Sequence, residues 1–209
     1  MITALFVLFC MVGSVHAADP NSPHPHTGVS TKFNNPKPTA LTSEQTKLLV
    51  SGQAVRRQVQ GDSGGRGIAI MDVKASPEKI WAIISDFSSY PNWIDDLEKT
   101  SIYGGSASTG YNVEFNLSVF GLDITYYINH TLHADKGYMS WELDYKKESD
   151  IDDSTGYWLV YPAPDRPGYT RVEYTVDLRL KGWVPGVVEN MLAKKGLVLA
   201  TSWVKKQAE

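Results

Sequence analysis

The sequence predicts an α+β domain in which one antiparallel sheet is closed by a single long C-terminal helix. Three observations carry this. The stretches Tyr111–Val119, Ile124–Leu132, Met139–Tyr145 and Val172–Leu180 each alternate apolar and polar residues, the period of a strand with one buried and one wet face. Short turns separate such runs, at Phe120-Gly121-Leu122-Asp123, Asp135-Lys136-Gly137 and Asp165-Arg166-Pro167-Gly168. Last, Pro185–Gln207 places Val188, Met191, Leu192, Leu199 and Trp203 near three- and four-residue spacing, with Lys194, Lys205 and Lys206 on other faces. A sheet with one apolar face buries it against such a helix.

Taken in order, the chain opens with an apolar run, Met1–Val12, followed by the small-residue exit Gly13-Ser14-Val15-His16-Ala17. This reads as a secretory signal peptide, residues 1–17, cut after Ala17, although no Lys or Arg precedes the run. The expected destination is outside the cytoplasm, periplasmic or secreted. Residues 18–40 hold five prolines among Asn, Ser, His and Thr, which predicts a disordered leader. His24 and His26 lie within it, too few ligands for a metal site. Thr42 and Gln45 have capping-box spacing and Gly52 can end a helix, so Thr42–Ser51 is a short helix. Gln53–Gln60 and Gly67–Lys74 read as strands around a glycine-rich turn. Ser76-Pro77-Glu78 starts a second helix, stopped by Pro91, with a further short helical piece within Tyr90–Leu97. The acidic residues Glu148, Asp150, Asp152 and Asp153 read as a solvated turn, because they lack the spacing of a calcium loop.

Composition narrows the functional classes. Cys10 is the one cysteine and falls in the signal, so disulfides, zinc–thiolate sites and cysteine nucleophiles are excluded from a mature chain. A net charge of −3 gives no reason to expect a nucleic-acid partner. No cofactor motif is present.

The run Ala75-Ser76-Pro77-Glu78-Lys79-Ile80-Trp81, followed by Asp86-Phe87-Ser88-Ser89-Tyr90-Pro91-Asn92-Trp93, resembles the START/Bet v 1-type (SRPBCC) superfamily. Within it, the polyketide cyclase/dehydrase and coenzyme Q-binding START-domain proteins are the similar ones. Gly156-Tyr157-Trp158-Leu159, Thr170–Tyr174 and Trp183-Val184-Pro185-Gly186 extend the likeness over about 41–208, a single domain. The resemblance implies a helix-grip fold: a curved antiparallel sheet of about six or seven strands wrapped around the terminal helix, with one or two short helices after the first core strand. It also implies an apolar tunnel between sheet and helix.

If that tunnel exists, the alternation assigns its lining to Phe115, Leu117, Tyr126, Ile128, His130, Trp141, Leu143, Tyr145 and Tyr174, with Val188, Met191 and Leu192 from the helix. Apolar alternation alone is also ordinary core packing. The polar tips are what suggest a pocket, since a dry core must satisfy each one. The first reading is a binding protein that carries a lipid or an isoprenoid quinone, its polar end oriented by Tyr126, His130 and Tyr145. A second is a cyclase/dehydratase-like enzyme with His130 as general base, the one inward histidine. A third is a structural or regulatory module without ligand. Trp183 is a candidate for transient contact with a membrane surface.

Overall fold

The computed structural model describes residues 18–61, 64–182 and 186–209, with backbone alone at 60, 61, 64 and 186–194. Its eight strands are β1 (Val55–Gly61), β2 (Gly64–Val73), β3 (Leu97–Ser106), β4 (Gly110–Val119), β5 (Leu122–His133), β6 (Tyr138–Leu143), β7 (Ile151–Pro162) and β8 (Thr170–Leu180). They form one sheet in the order β1-β2-β8-β7-β6-β5-β4-β3, every pairing antiparallel. The helices are α1 (Ser43–Val50), α2 (Pro77–Ser85) and α3 (Gly186–Ala208), with a 3-10 turn at Phe87–Asn92. This is the helix-grip arrangement, one strand richer than expected.

The helix starts follow local chemistry. Thr42 accepts from the Gln45 N–H while the Gln45 side chain accepts from the Thr42 N–H, a complete capping box. Ser76 caps α2 and Pro77 occupies its first turn, where no N–H is needed. The sequence assigns no range to β3 or β7. β3 is an edge strand, bulged between Leu97 and Lys99 and between Ile102 and Gly104, so its exposure follows no two-residue period.

The main core lies between the inner sheet face, α2 and the C-terminal half of α3. Ile80 and Ile84 of α2 meet Val73, Val113, Leu143, Val172, Trp203 and Val204 there, all buried. Leu197 sits over Gly67, where an added Cβ would come within 2.8 Å of its methyl carbon. Of the helix positions expected to face the sheet, Trp203 does so; Val188, Met191 and Leu192 lie outside the residues whose side chains are described.

The outer face departs most from expectation. Residues 18–40, expected to be a disordered leader, run as a strap across it. Val29 and Ser30 donate their N–H groups to Asp153 Oδ2 at 2.8 and 2.7 Å. Thr39 donates its N–H and hydroxyl to Glu173 at 3.0 and 2.7 Å, and the Tyr161 hydroxyl donates to the same carboxylate. Phe33 packs edge-on against Tyr157, with centroids 5.1 Å apart. The face expected to be wet therefore contains Asp153 and Glu173 at 0% exposure. The acidic cluster is likewise no solvated turn, since Asp150, Asp152 and Asp153 each hold part of the strap.

Asp153 shows the energetics. Burial raises its carboxyl, but the N–H groups of Val29, Ser30 and Ser154 and the Tyr145 hydroxyl outweigh this and hold it below the usual carboxylate value. Asp153→Ala removes the acceptor and strands two strap N–H groups, a loss on the order of 2 kcal/mol. Proteolytic cutting within residues 25–35 should then accelerate by roughly tenfold or more while the near-ultraviolet spectrum of the sheet core stays native. Unchanged cutting would show that Asp153 does not hold the strap.

Candidate functional site

The inner face of the sheet carries an aromatic wall. Phe115 stacks on its cross-strand partner Tyr126 at 5.1 Å. His130 lies 4.5 Å from Phe87 and 6.4 Å from Trp141. Trp141 stacks on Tyr174 at 5.3 Å, and Tyr174 meets Trp158 at 4.6 Å. Trp203 of α3, packed on Tyr90 at 4.6 Å and on Trp93 at 5.7 Å, joins the wall to the 3-10 turn and the residue after it. Gly156 makes this possible: a Cβ there would lie 2.1 Å from Trp141 Cζ2 and 2.3 Å from the Thr175 carbonyl oxygen. The indole covers the glycine, and its Nε1–H donates to Ser154 Oγ at 3.3 Å.

The structure brings together eight of the nine sheet residues expected to line a site. Phe115, Ile128 and Leu143 are fully packed, whereas Leu117, Tyr126, His130, Trp141 and Tyr174 are half-buried. Tyr145 is the exception. It lies beyond the end of β6, where its ring still packs against the main core but its hydroxyl donates to Asp153 Oδ1 at 2.8 Å beside the strap. Sequence reasoning left Phe87, Tyr90 and Trp158 out of the wall. The first two stand in the motif after α2; the face of Trp158 is hidden in the sequence because both faces of β7 are apolar and buried, Tyr157 and Leu159 on one and Trp158 and Val160 on the other.

His130 is the histidine of the wall. Its Nδ1 lies 3.0 Å from the Tyr111 carbonyl oxygen, which can only accept, so Nδ1 carries the proton and Nε2 is a bare acceptor. Burial pushes the ring down to about 4, against a smaller upward pull from that carbonyl. Burial raises the Tyr126 and Tyr174 hydroxyls, which stay neutral donors. Among the described residues neither hydroxyl nor His130 Nε2 has a hydrogen-bond partner. The wall thus offers two donors and one acceptor on an uncharged aromatic surface.

Two other features resemble sites. His24, His26 and Asp152 bring potential metal ligands within 4.8 Å of one another. Backbone groups fix both rings against that use. His24 Nε2–H donates to the Asp152 carbonyl at 2.8 Å while its Nδ1 accepts from the Ser149 N–H at 3.4 Å. His26 Nδ1 accepts from the Gly28 N–H at 3.1 Å, leaving its Nε2–H for Asp152 Oδ1 at 3.2 Å. A metal on either Nε2 would move the proton to Nδ1, against an N–H donor. The cluster is a hydrogen-bonded clamp on the strap, and His24, expected to be solvated, is buried. An open cleft of about 390 Å³ between residues 91–98 and Ser118 contains none of the expected site residues.

A family model described as polyketide cyclase/dehydrase and lipid transport matches residues 69–200, more than half of the chain. No match is found among curated protein sequences. Among solved structures, a START superfamily protein from Mycobacterium smegmatis is similar, with 19% identity, TM-score 0.54, and 74% of this chain and 96% of that one covered. The Zhui aromatase/cyclase from Streptomyces sp. R1128 is similar at 14% identity and TM-score 0.57, covering 74% and 94%. A STAR-related lipid transfer protein from Xanthomonas axonopodis follows at 15% identity and TM-score 0.55, covering 74% and 92%. At these identities the likeness to each structure is one of fold.

Two measurements test the wall. Gly156→Ala should cost about 3 kcal/mol, the upper range for overpacking a filled site, seen as a lower urea midpoint; an unchanged midpoint would mean that Trp141 is not seated on Gly156. For His130, the unfolded value is about 6.5 and the folded value about 4. A histidine lowered by folding contributes stability that is present above the unfolded value and lost as pH falls towards the folded one. Between pH 6.5 and 4 the protein should therefore lose about 3 kcal/mol more than His130→Asn does. Parallel stability curves would contradict the buried neutral ring.

Proposed function

We propose, for a chain that belongs to the polyketide cyclase/dehydrase and lipid transport family, that it binds and carries a hydrophobic small molecule between the inner sheet face and α3. The molecule is a lipid or an isoprenoid quinone, and its carriage takes place outside the cytoplasm.

One observation supports this above the rest. Tyr126, His130, Trp141 and Tyr174 lie deep, Tyr126, His130 and Tyr174 deep enough for burial to shift their titration. All four nevertheless keep surface that water can touch. A filled core gives depth without such surface, and an outer face gives surface without depth. A hollow against the wall gives both. An apolar ligand there gains about 25 cal/mol for each Å² withdrawn from water before the costs of binding. Its polar end would accept from the Tyr126 and Tyr174 hydroxyls or donate to His130 Nε2. A quinone, with acceptor oxygens on a flat ring, matches the two donors and the stacking surface.

The enzymatic reading rests on the bare Nε2 of His130. A base whose conjugate acid has a pKa of about 4 provides little driving force for proton abstraction at neutral pH, so carriage is favoured. Native mass spectrometry of the protein taken from its own compartment should show a non-covalently bound hydrophobic mass. Tyr126→Phe should weaken its retention by roughly fivefold, the worth of one hydrogen bond. A protein that is always empty and takes up neither lipids nor quinones would overturn the carrier. If His130→Ala abolished turnover of a cyclisable substrate while retention stayed intact, the enzymatic reading would replace it.

A further inference from the structure

We propose that the chain is cut between Ala17 and Ala18, and that the new α-ammonium group of Ala18 is bound by the Asp150 carboxylate, anchoring the strap. Two independent observations meet at that bond. The first is the small-residue pattern Val15-His16-Ala17, which sets a cleavage position without reference to the fold. The second is that the Ala18 nitrogen lies 2.9 Å from Asp150 Oδ1. Nothing in the cleavage pattern requires a carboxylate at that nitrogen.

The receiving site is built before the cut. Asp150 Oδ2 accepts from the Thr125 N–H at 2.7 Å, which aims the other oxygen at Ala18. Asp150 is half-buried, and among the described residues it forms no ion pair with Lys, Arg or His. Among the described residues its negative charge is met by two N–H dipoles. The chain beyond Ala18 is held at once: Glu148 donates its N–H to the Asp19 and Ser22 carbonyls at 3.0 and 2.7 Å, and His24 donates its N–H to the Tyr145 carbonyl at 3.1 Å. Asp19 itself is turned onto Asn21 and Ser22 and does not compete for the ammonium.

The covalent step is hydrolysis by an endopeptidase. Water adds across the Ala17–Ala18 amide, the C–N bond breaks, Ala17 leaves with a carboxylate, and the amine of Ala18 takes up a proton. An α-amino group ordinarily titrates near 8, so it is largely charged at neutral pH. The hydrogen bond from the neutral amide N–H of Ala18 to Asp150 becomes an ion pair between the same two groups. In this way removal of residues 1–17 strengthens the strap that covers β7 and β8.

The exported protein, produced from the full chain, supplies the test. Its N-terminal sequence should begin at Ala18, and its α-amino group should titrate above the ordinary value near 8, returning to it in Asp150→Asn. Two further forms cover a variant that folds poorly: the protein with Ala18 acetylated, and the protein with one glycine ahead of Ala18. Both keep the amide bond and lose the local charge pair, so hydrogen-exchange protection over residues 18–24 should fall roughly fivefold, the worth of a half-exposed ion pair. A mature terminus elsewhere, an amine that titrates equally in Asp150→Asn, or equal protection in the blocked forms would each overturn the proposal.

Discussion

Buried carboxylates on the outer sheet face organise this protein. A carboxylate taken out of water is costly unless donors replace the water. The sheet places Asp153, Glu173 and Asp72 at or near zero exposure. Asp72 is satisfied within the sheet by the buried Arg171, at 2.8 Å. Asp153 and Glu173 depend on the backbone of the strap. The proline-rich segment is held because its partners need it, and its side chains add the Phe33 ring, the two histidines, the Thr39 and Ser30 hydroxyls and the ion pair of Lys32 with Glu142.

The strap and the aromatic wall are two sides of one layer. Asp153 and Glu173 face the strap, and their neighbours Ser154 and Tyr174 face inward, where Ser154 accepts from Trp141 and Tyr174 stacks on it. Successive residues of a strand point to opposite faces, so fixing the outer carboxylates also fixes the register of the wall. The strap therefore braces the aromatic wall from behind.

How much was legible in the sequence depended on whether side chains carried the information. The caps of α1 and α2 rest on Thr42, Gln45 and Ser76, and they could be read directly. The four alternating strands put Phe115, Tyr126, His130, Trp141 and Tyr174 on one face, as they are. The strap could not be read, because its decisive donors are the N–H groups of Val29, Ser30 and Thr39, which every residue except proline possesses. The acidic cluster was misread for the complementary reason: a run of like charges looks solvated until its donors are known. Bulges hid β3, and burial of both faces of β7 hid the register of Trp158. Tyr145 kept its alternation in sequence but stands past the end of its strand, where alternation no longer assigns a face.

The two histidine environments share a logic that bears on chemistry. At His130, as at His24, a backbone carbonyl fixes which nitrogen is protonated, and burial disfavours the charged ring. His24 spends its remaining nitrogen on the Ser149 N–H, so it is a structural clamp. Among the described residues His130 leaves Nε2 unspent on the inner wall, beside the rings of Phe87, Phe115 and Trp141. A site for acid–base turnover needs a group poised to change charge near the working pH. A site for carriage needs polar atoms that stay neutral, so that the ligand meets hydrogen bonds without a buried charge. The unspent nitrogen of a ring that resists protonation meets the second requirement and works against the first.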